Sequence, residues 1–170
     1  MTGLEDLYRE IILDHYRSPR NRGELEVPPA HRVEGFNPLC GDEVVVYMEV
    51  DGDTVKDLKI SGQGCSISQS SASMMSAAVK GKSTAKARQL IDSFKAMMTI
   101  HEHSIGGEAD GSDTGDVADA ARALSDQDLG ELAALQGVVK FPVRIKCATL
   151  SWNTLLQGLD EIDAGVPSEA

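Results

Sequence analysis

Leu4, Leu7, Tyr8, Ile11, Ile12 and His15 recur at helical spacing, so residues 4–16 read as an amphipathic helix that Ser18-Pro19-Arg20-Asn21 ends. A turn-rich connection over residues 18–31 follows, carrying Pro28-Pro29. Val44, Val46, Met48 and Val50 then alternate along one face of a strand. Asp51-Gly52 supplies a hairpin turn, and Leu58 and Ile60 alternate along the return. A shorter strand near residues 31–36 completes a three-stranded antiparallel sheet. From Cys65 the period becomes helical: Ile67, Ser71, Met74, Met75 and Ala78 share a face, and Gly81 stands where a C-terminal glycine cap belongs. Ser83 or Thr84 caps a helix whose buried face is Ala87, Leu90, Ile91, Phe94, Met97 and Met98. Ser125-Asp126-Gln127-Asp128 resembles a capping box for a short helix through Leu135. The last helix is expected from about Thr149 to Ile162, with Trp152, Leu155, Leu156, Leu159 and Ile162 inward. Strands first and helices afterwards predict an α+β fold, a small three-stranded sheet packed by about five helices.

Length and composition narrow the class. A chain of 170 residues is a single domain, 1–170, that can bury a core without disulfide staples. The acidic start, Met1-Thr2-Gly3-Leu4-Glu5-Asp6, lacks the basic-then-apolar order of a signal peptide, so a cytoplasmic location with reduced thiols is expected. The net charge is −11, and residues 102–131 hold nine acids against Arg122 alone. That distribution argues against nucleic acid as a partner, and the absence of a long apolar run argues against a membrane. The acidic stretch at about 103–124 reads as a solvated surface insertion. As a calcium loop starting at Asp110 it fails, because Ser112 and Thr114 occupy liganding positions and Ala121 stands where a bidentate glutamate is required.

The candidate chemistry lies in three cysteines, Cys40, Cys65 and Cys147. Cys40 opens Cys40-Gly41-Asp42, Cys65 closes Gly62-Gln63-Gly64-Cys65, and Cys147 follows Arg144-Ile145-Lys146. Three sulfurs and the Asp42 carboxylate would fill a tetrahedral zinc shell with no open position. Spacing alone leaves another reading open, in which the cysteines are small core residues and Asp42 belongs to a turn. Cys65 and Cys147 are both expected near helix N-termini, where the dipole lowers a thiol pKa. A zinc ion with three thiolates and a carboxylate carries net negative charge, which is costly to bury unpaired. Arg144 suits a bidentate contact with Asp42, and Lys146 could screen the sulfurs; an exposed basic turn accounts for both equally well. His101 and His103 form a weaker candidate metal pair, and His15 is expected in the core or an interface.

Asn37-Pro38-Leu39-Cys40-Gly41-Asp42, Gly62-Gln63-Gly64-Cys65-Ser66-Ile67-Ser68 through Met75, and Phe141-Pro142-Val143-Arg144-Ile145-Lys146-Cys147-Ala148-Thr149-Leu150 resemble the U-type iron–sulfur cluster assembly proteins, most closely their SufU-type branch. The segment from Leu7-Tyr8 to Pro19-Arg20-Asn21 is similar too. The resemblance implies a metal site at one end of the sheet, with zinc held by Cys40, Asp42, Cys65 and Cys147. It implies sulfur transfer from a pyridoxal-phosphate-dependent, SufS-type cysteine desulfurase onto Cys40, by exchange of that ligand at zinc while Arg144 steadies Asp42. Downstream iron–sulfur scaffold proteins would be the recipients. On this reading the chain is a co-substrate and activator of the desulfurase. IscU-type scaffolds carry a histidine just before the third cysteine, where this chain has Lys146. That difference favours relay over scaffolding. The alternatives are a scaffold holding a transient [2Fe–2S] cluster and a non-catalytic zinc-stabilised interaction module.

Overall fold

The structure, a computed structural model, describes residues 3–27, 29–105, 132–135, 138 and 141–165. Helix α1 (Gly3–Arg17) leads into strands β1 (His31–Asn37), β2 (Asp42–Asp51) and β3 (Thr54–Gln63). Helices α2 (Ser66–Val79), α3 (Thr84–Ile105) and α4 (Pro142–Asp163) follow. The strands form one antiparallel sheet in the order β1-β2-β3. The four-residue turn after Asn37 and the Gly52-Asp53 turn, with Gly52 at φ 63°, join them. The short helix expected through Leu135 lies mostly outside the described residues; residues 132–135 are a 3-10 turn. The acidic insertion is outside them too, apart from the last residues of α3.

Alternation along β2 places Val44, Val46 and Met48 in the core, opposite Leu58 and Ile60 of β3. A bulge between Glu49 and Val50 breaks that period, and Val50 is only half-buried. Helix α4 lies across β1 and β2, α2 packs on β3 and α4, and α1 covers α2. Met74, Met75, Leu90, Ile91, Phe94, Trp152, Leu155 and Leu159 fill the space between. Trp152 stacks on Phe94 with ring centroids 4.4 Å apart. In α1, Tyr8, Ile11 and Ile12 pack on this core. Leu7, at the margin of the apolar stripe, is exposed.

His15 is buried as expected, with Nδ1 2.7 Å from Ser73 Oγ. That hydroxyl also accepts the Arg20 N–H at 2.8 Å, tying the end of α1 to α2. Ser83 caps α3 by accepting the Lys86 N–H.

Helix α4 begins at Pro142, a turn and more before the expected Thr149. Proline lacks the N–H that a first turn leaves unpaired, and its fixed φ suits that position, so Phe141-Pro142 starts the helix. The earlier start carries Cys147 inside α4. This decides the environment of the candidate site.

Candidate metal centre

Three elements deliver the candidate donors to one end of the sheet. The turn after β1 carries Cys40, the first residue of β2 is Asp42, and α4 presents Cys147. Donor atoms of these three lie within 4.8 Å of one another. The sulfurs of Cys40 and Cys147 are 3.3 Å apart. Cys65 is the N-cap residue of α2 and makes no side-chain cap, which leaves its thiol free for the site. Its Sγ lies 3.9 Å from Asp42 Oδ2, and its backbone N–H donates to Asp42 Oδ1 at 2.9 Å. The structure thus gathers Cys40, Asp42 and Cys147 into one cluster, while Cys65 touches Asp42 but stands outside the group whose donor atoms all lie within 4.8 Å of one another.

Asp42 and Cys147 have no solvent exposure, whereas Cys40 and Cys65 are partly exposed. Burial pushes the Asp42 carboxyl up, but the Cys65 N–H and hydrogen bonds from Cys147, Cys65 and Ser68 outweigh it. They hold the group below the usual carboxylate range. Cys147 does not sit at a helix start, and the expected dipole effect gives way to burial. Burial pushes its thiol far up, and hydrogen bonds with Asp42 and Cys40 push in the same direction. Donor atoms gathered this closely from Cys40, Asp42 and Cys147, with Cys65 against the carboxylate, are an arrangement that could hold a metal ion. Three sulfurs and one oxygen are a donor set suited to zinc, so these residues fit that ion.

Arg144 departs from expectation. It lies one helical turn before Cys147, and the charge and hydrogen bonds of the Cys65 and Cys147 thiols raise its pKa; among the described residues no hydrogen bond or ion pair joins it to Asp42. The helix start explains the difference: with α4 under way from Pro142, positions 144 and 147 share a face, so the arginine reaches over the sulfurs. Lys146 is exposed, and no described contact joins it to them. The side chains of His101 and His103 lie outside the described residues.

Two residues of the site have no assigned role in the sequence reading. Asn37, at the end of β1, donates through Nδ2 to Cys147 Sγ at 3.7 Å and accepts the Leu39 N–H on Oδ1 at 3.2 Å. Ser68, in the first turn of α2, hydrogen-bonds the Asp42 carboxylate. The available signal was Asn37-Pro38 just ahead of Cys40, a turn-forming pair.

Gly64 shows how tightly the carboxylate is held. A Cβ there would stand 2.5 Å from both Asp42 Oδ1 and Ser68 Oγ. Gly64→Ala is therefore expected to displace Asp42 and weaken zinc binding by roughly 10- to 100-fold. Competition against a chromogenic chelator measures it, and unchanged affinity would refute this role for the glycine.

Residues 7–148 match the family described as NifU-like N terminal domain. The chain belongs to that family. It is 44% identical over 162 residues, 95% of each chain, to the zinc-dependent sulfurtransferase SufU of Bacillus subtilis. It is also 35% identical to the iron–sulfur cluster assembly scaffold protein IscU of Streptococcus pyogenes, over 94% of this chain and 86% of that one. A crystal structure of a putative SUF-system scaffold protein from Fervidobacterium islandicum superposes with a TM-score of 0.70 at 32% identity, covering 92% of this chain and 99% of that one. The family fold is thus the α+β arrangement expected, with the U-type donor cluster at one end. Among the described residues no helix is long and apolar enough to cross a membrane.

Proposed function

We propose that this NifU-like domain is a zinc-dependent sulfurtransferase of iron–sulfur cluster biogenesis that takes persulfide sulfur onto Cys40. The donor is a SufS-type, pyridoxal-phosphate-dependent cysteine desulfurase, and downstream scaffold proteins receive the sulfur. The observation that carries this reading is the inequality of the four donors. Asp42 is held by the Cys65 N–H and Ser68, Cys147 by Asn37, and both are fully buried. Cys65 and Cys147 lie under Arg144. Cys40 is partly exposed, and among the described residues its only hydrogen-bond partner is the Cys147 thiol. It is the member free to leave.

Cys40, Asp42, Cys65 and Cys147 would hold the zinc, which supplies the positive charge that keeps the thiols ionised near neutral pH. The Cys40 thiolate attacks the outer sulfur of the donor persulfide. The sulfur–sulfur bond of the donor breaks, its cysteine leaves as thiolate, and Cys40 carries the persulfide. Asp42, Cys65 and Cys147 stay in place, with Arg144 countering the charge of the two sulfurs.

Desulfurase turnover with cysteine tests the reading. The parent chain is expected to accelerate it, and Cys40→Ala to return it to the rate of the desulfurase alone. A variant that stimulates like the parent would remove Cys40 as acceptor. The second reading, a scaffold for a [2Fe–2S] cluster, draws on the IscU relatives. Anaerobic reconstitution that yields a stable cluster transferable to an apo-ferredoxin would favour it.

A further inference from the structure

On the relay reading Cys40, partly exposed and, among the described residues, without a hydrogen bond to the Asp42 carboxylate, is the thiol that meets a donor, but that does not fix where the sulfur stays. Once on Cys40 it sits beside a second nucleophile, because the two sulfurs are 3.3 Å apart. Two onward steps would be open to Cys147 were it to leave the metal. Attack on the outer sulfur would break the persulfide bond, release Cys40 as thiolate and move the persulfide to the buried position. Attack on the inner sulfur would close a Cys40–Cys147 disulfide and expel the outer atom as hydrosulfide. Either step takes sulfur away from the partly exposed cysteine, and neither needs an added oxidant.

Asn37 is built into this pair. It is buried, with 6% exposure, and its three polar groups bind both sides. Its carbonyl accepts the Gly41 N–H at 2.9 Å and its Oδ1 accepts the Leu39 N–H, which closes the turn bearing Cys40. Its Nδ2 donates to Cys147 Sγ. A donated hydrogen bond draws electron density from the sulfur and occupies one of its lone pairs, so Cys147 becomes the poorer nucleophile of the two. Among the described residues no N–H is directed at Cys40.

We infer that Asn37 is a positioning residue that keeps transferred sulfur on Cys40 by restraining Cys147. The inference rests on the sulfur-relay reading and adds to it a determinant of which cysteine retains the cargo.

Asn37→Ser separates the two roles of the side chain, since a serine hydroxyl still accepts a nearby backbone N–H in a turn but is too short to reach Cys147. Zinc-loaded parent and variant are incubated with cysteine desulfurase and cysteine, and their peptides are mapped by mass without reductant. In the parent, sulfane sulfur is expected on the Cys40 peptide. In the variant, the share of Cys147 persulfide plus Cys40–Cys147 disulfide is expected to rise about tenfold, the scale of one hydrogen bond to a charged group. A merely structural defect would lower total uptake without moving that share. If the parent carries sulfur on Cys40 and the variant keeps the same distribution, the role of Asn37 is refuted while the relay stands. If the parent takes up no sulfur, the relay falls and the inference with it. Hydrogen exchange in the unmutated protein supplies a second measurement that does not depend on the variant folding. The Asn37 side-chain amide is expected to be protected, and free exchange would overturn the contact.

Discussion

Asp42→Ala is expected to lower zinc affinity on the order of 100-fold or more, beyond the 10- to 100-fold that removal of a mere supporting contact costs. Three consequences act together. A donor oxygen is lost from the cluster, and so is the one anionic group held ionised by the fold itself. The Cys65 N–H is also left without its acceptor at a partly buried helix start, a further cost of about 1–3 kcal/mol. Asp42→Asn separates these effects, because it keeps the shape and an acceptor oxygen while removing the charge. It is expected to bind zinc more weakly than the parent and to fold more stably than the alanine variant. The pH dependence has a definite sign. The folded-state pKa of Asp42 lies below its ordinary value of 3.8, so its ionised form contributes stability that is complete above that value. The contribution is lost as pH falls from there through the lower folded pKa. Acid unfolding of the zinc-free parent and of Asp42→Asn should accordingly converge at the bottom of that range. A midpoint for the parent above that of the variant would contradict this assignment.

Trp152→Ala is expected to cost about 3–5 kcal/mol of unfolding free energy, measured by chemical denaturation. The indole is wholly buried, stacked on Phe94, and its Nε1–H donates to Ser71 Oγ at 3.1 Å. Ser71 in turn donates to the Ala148 carbonyl at 2.5 Å, the residue next to Cys147. Removing the ring opens a cavity between α3 and α4 and frees one end of the chain of contacts that fixes α4 beside the site. Zinc is therefore expected to restore part of the lost stability, since binding to the folded state alone stabilises it by mass action. A loss under about 1 kcal/mol would mean that the helices close over the gap.

The sheet was legible because Val44, Val46 and Met48 alternate cleanly and Asp51-Gly52 marks the turn; side-chain period and turn chemistry are local properties. The bulge at Glu49 and Val50 was not, because it depends on how two strands pair. The pairing of the connecting segment with β3, where Ile60 bonds to Asn21 and Gly23, leaves no periodic trace either. At the site, the four donors could be named from glycine-flanked cysteines and a family resemblance. Their inequality could not. The nearness of Arg144 to the Cys65 and Cys147 thiols was not legible, because its direction depends on the helix phase, which the start at Pro142 sets. The expected dipole effect on Cys147 failed for the same reason. Asn37 acts on Cys147 and Ser68 on Asp42, across sequence separations that no spacing rule connects.

Sulfur on Cys40 is the central claim, and peptide mass mapping of the zinc-loaded chain after incubation with a cysteine desulfurase and cysteine tests it most directly. One additional sulfur atom on the Cys40 peptide, removable by reductant, is the predicted result. Absence of added sulfur under conditions where the desulfurase turns over, or sulfur confined to Cys65 or Cys147, would contradict it.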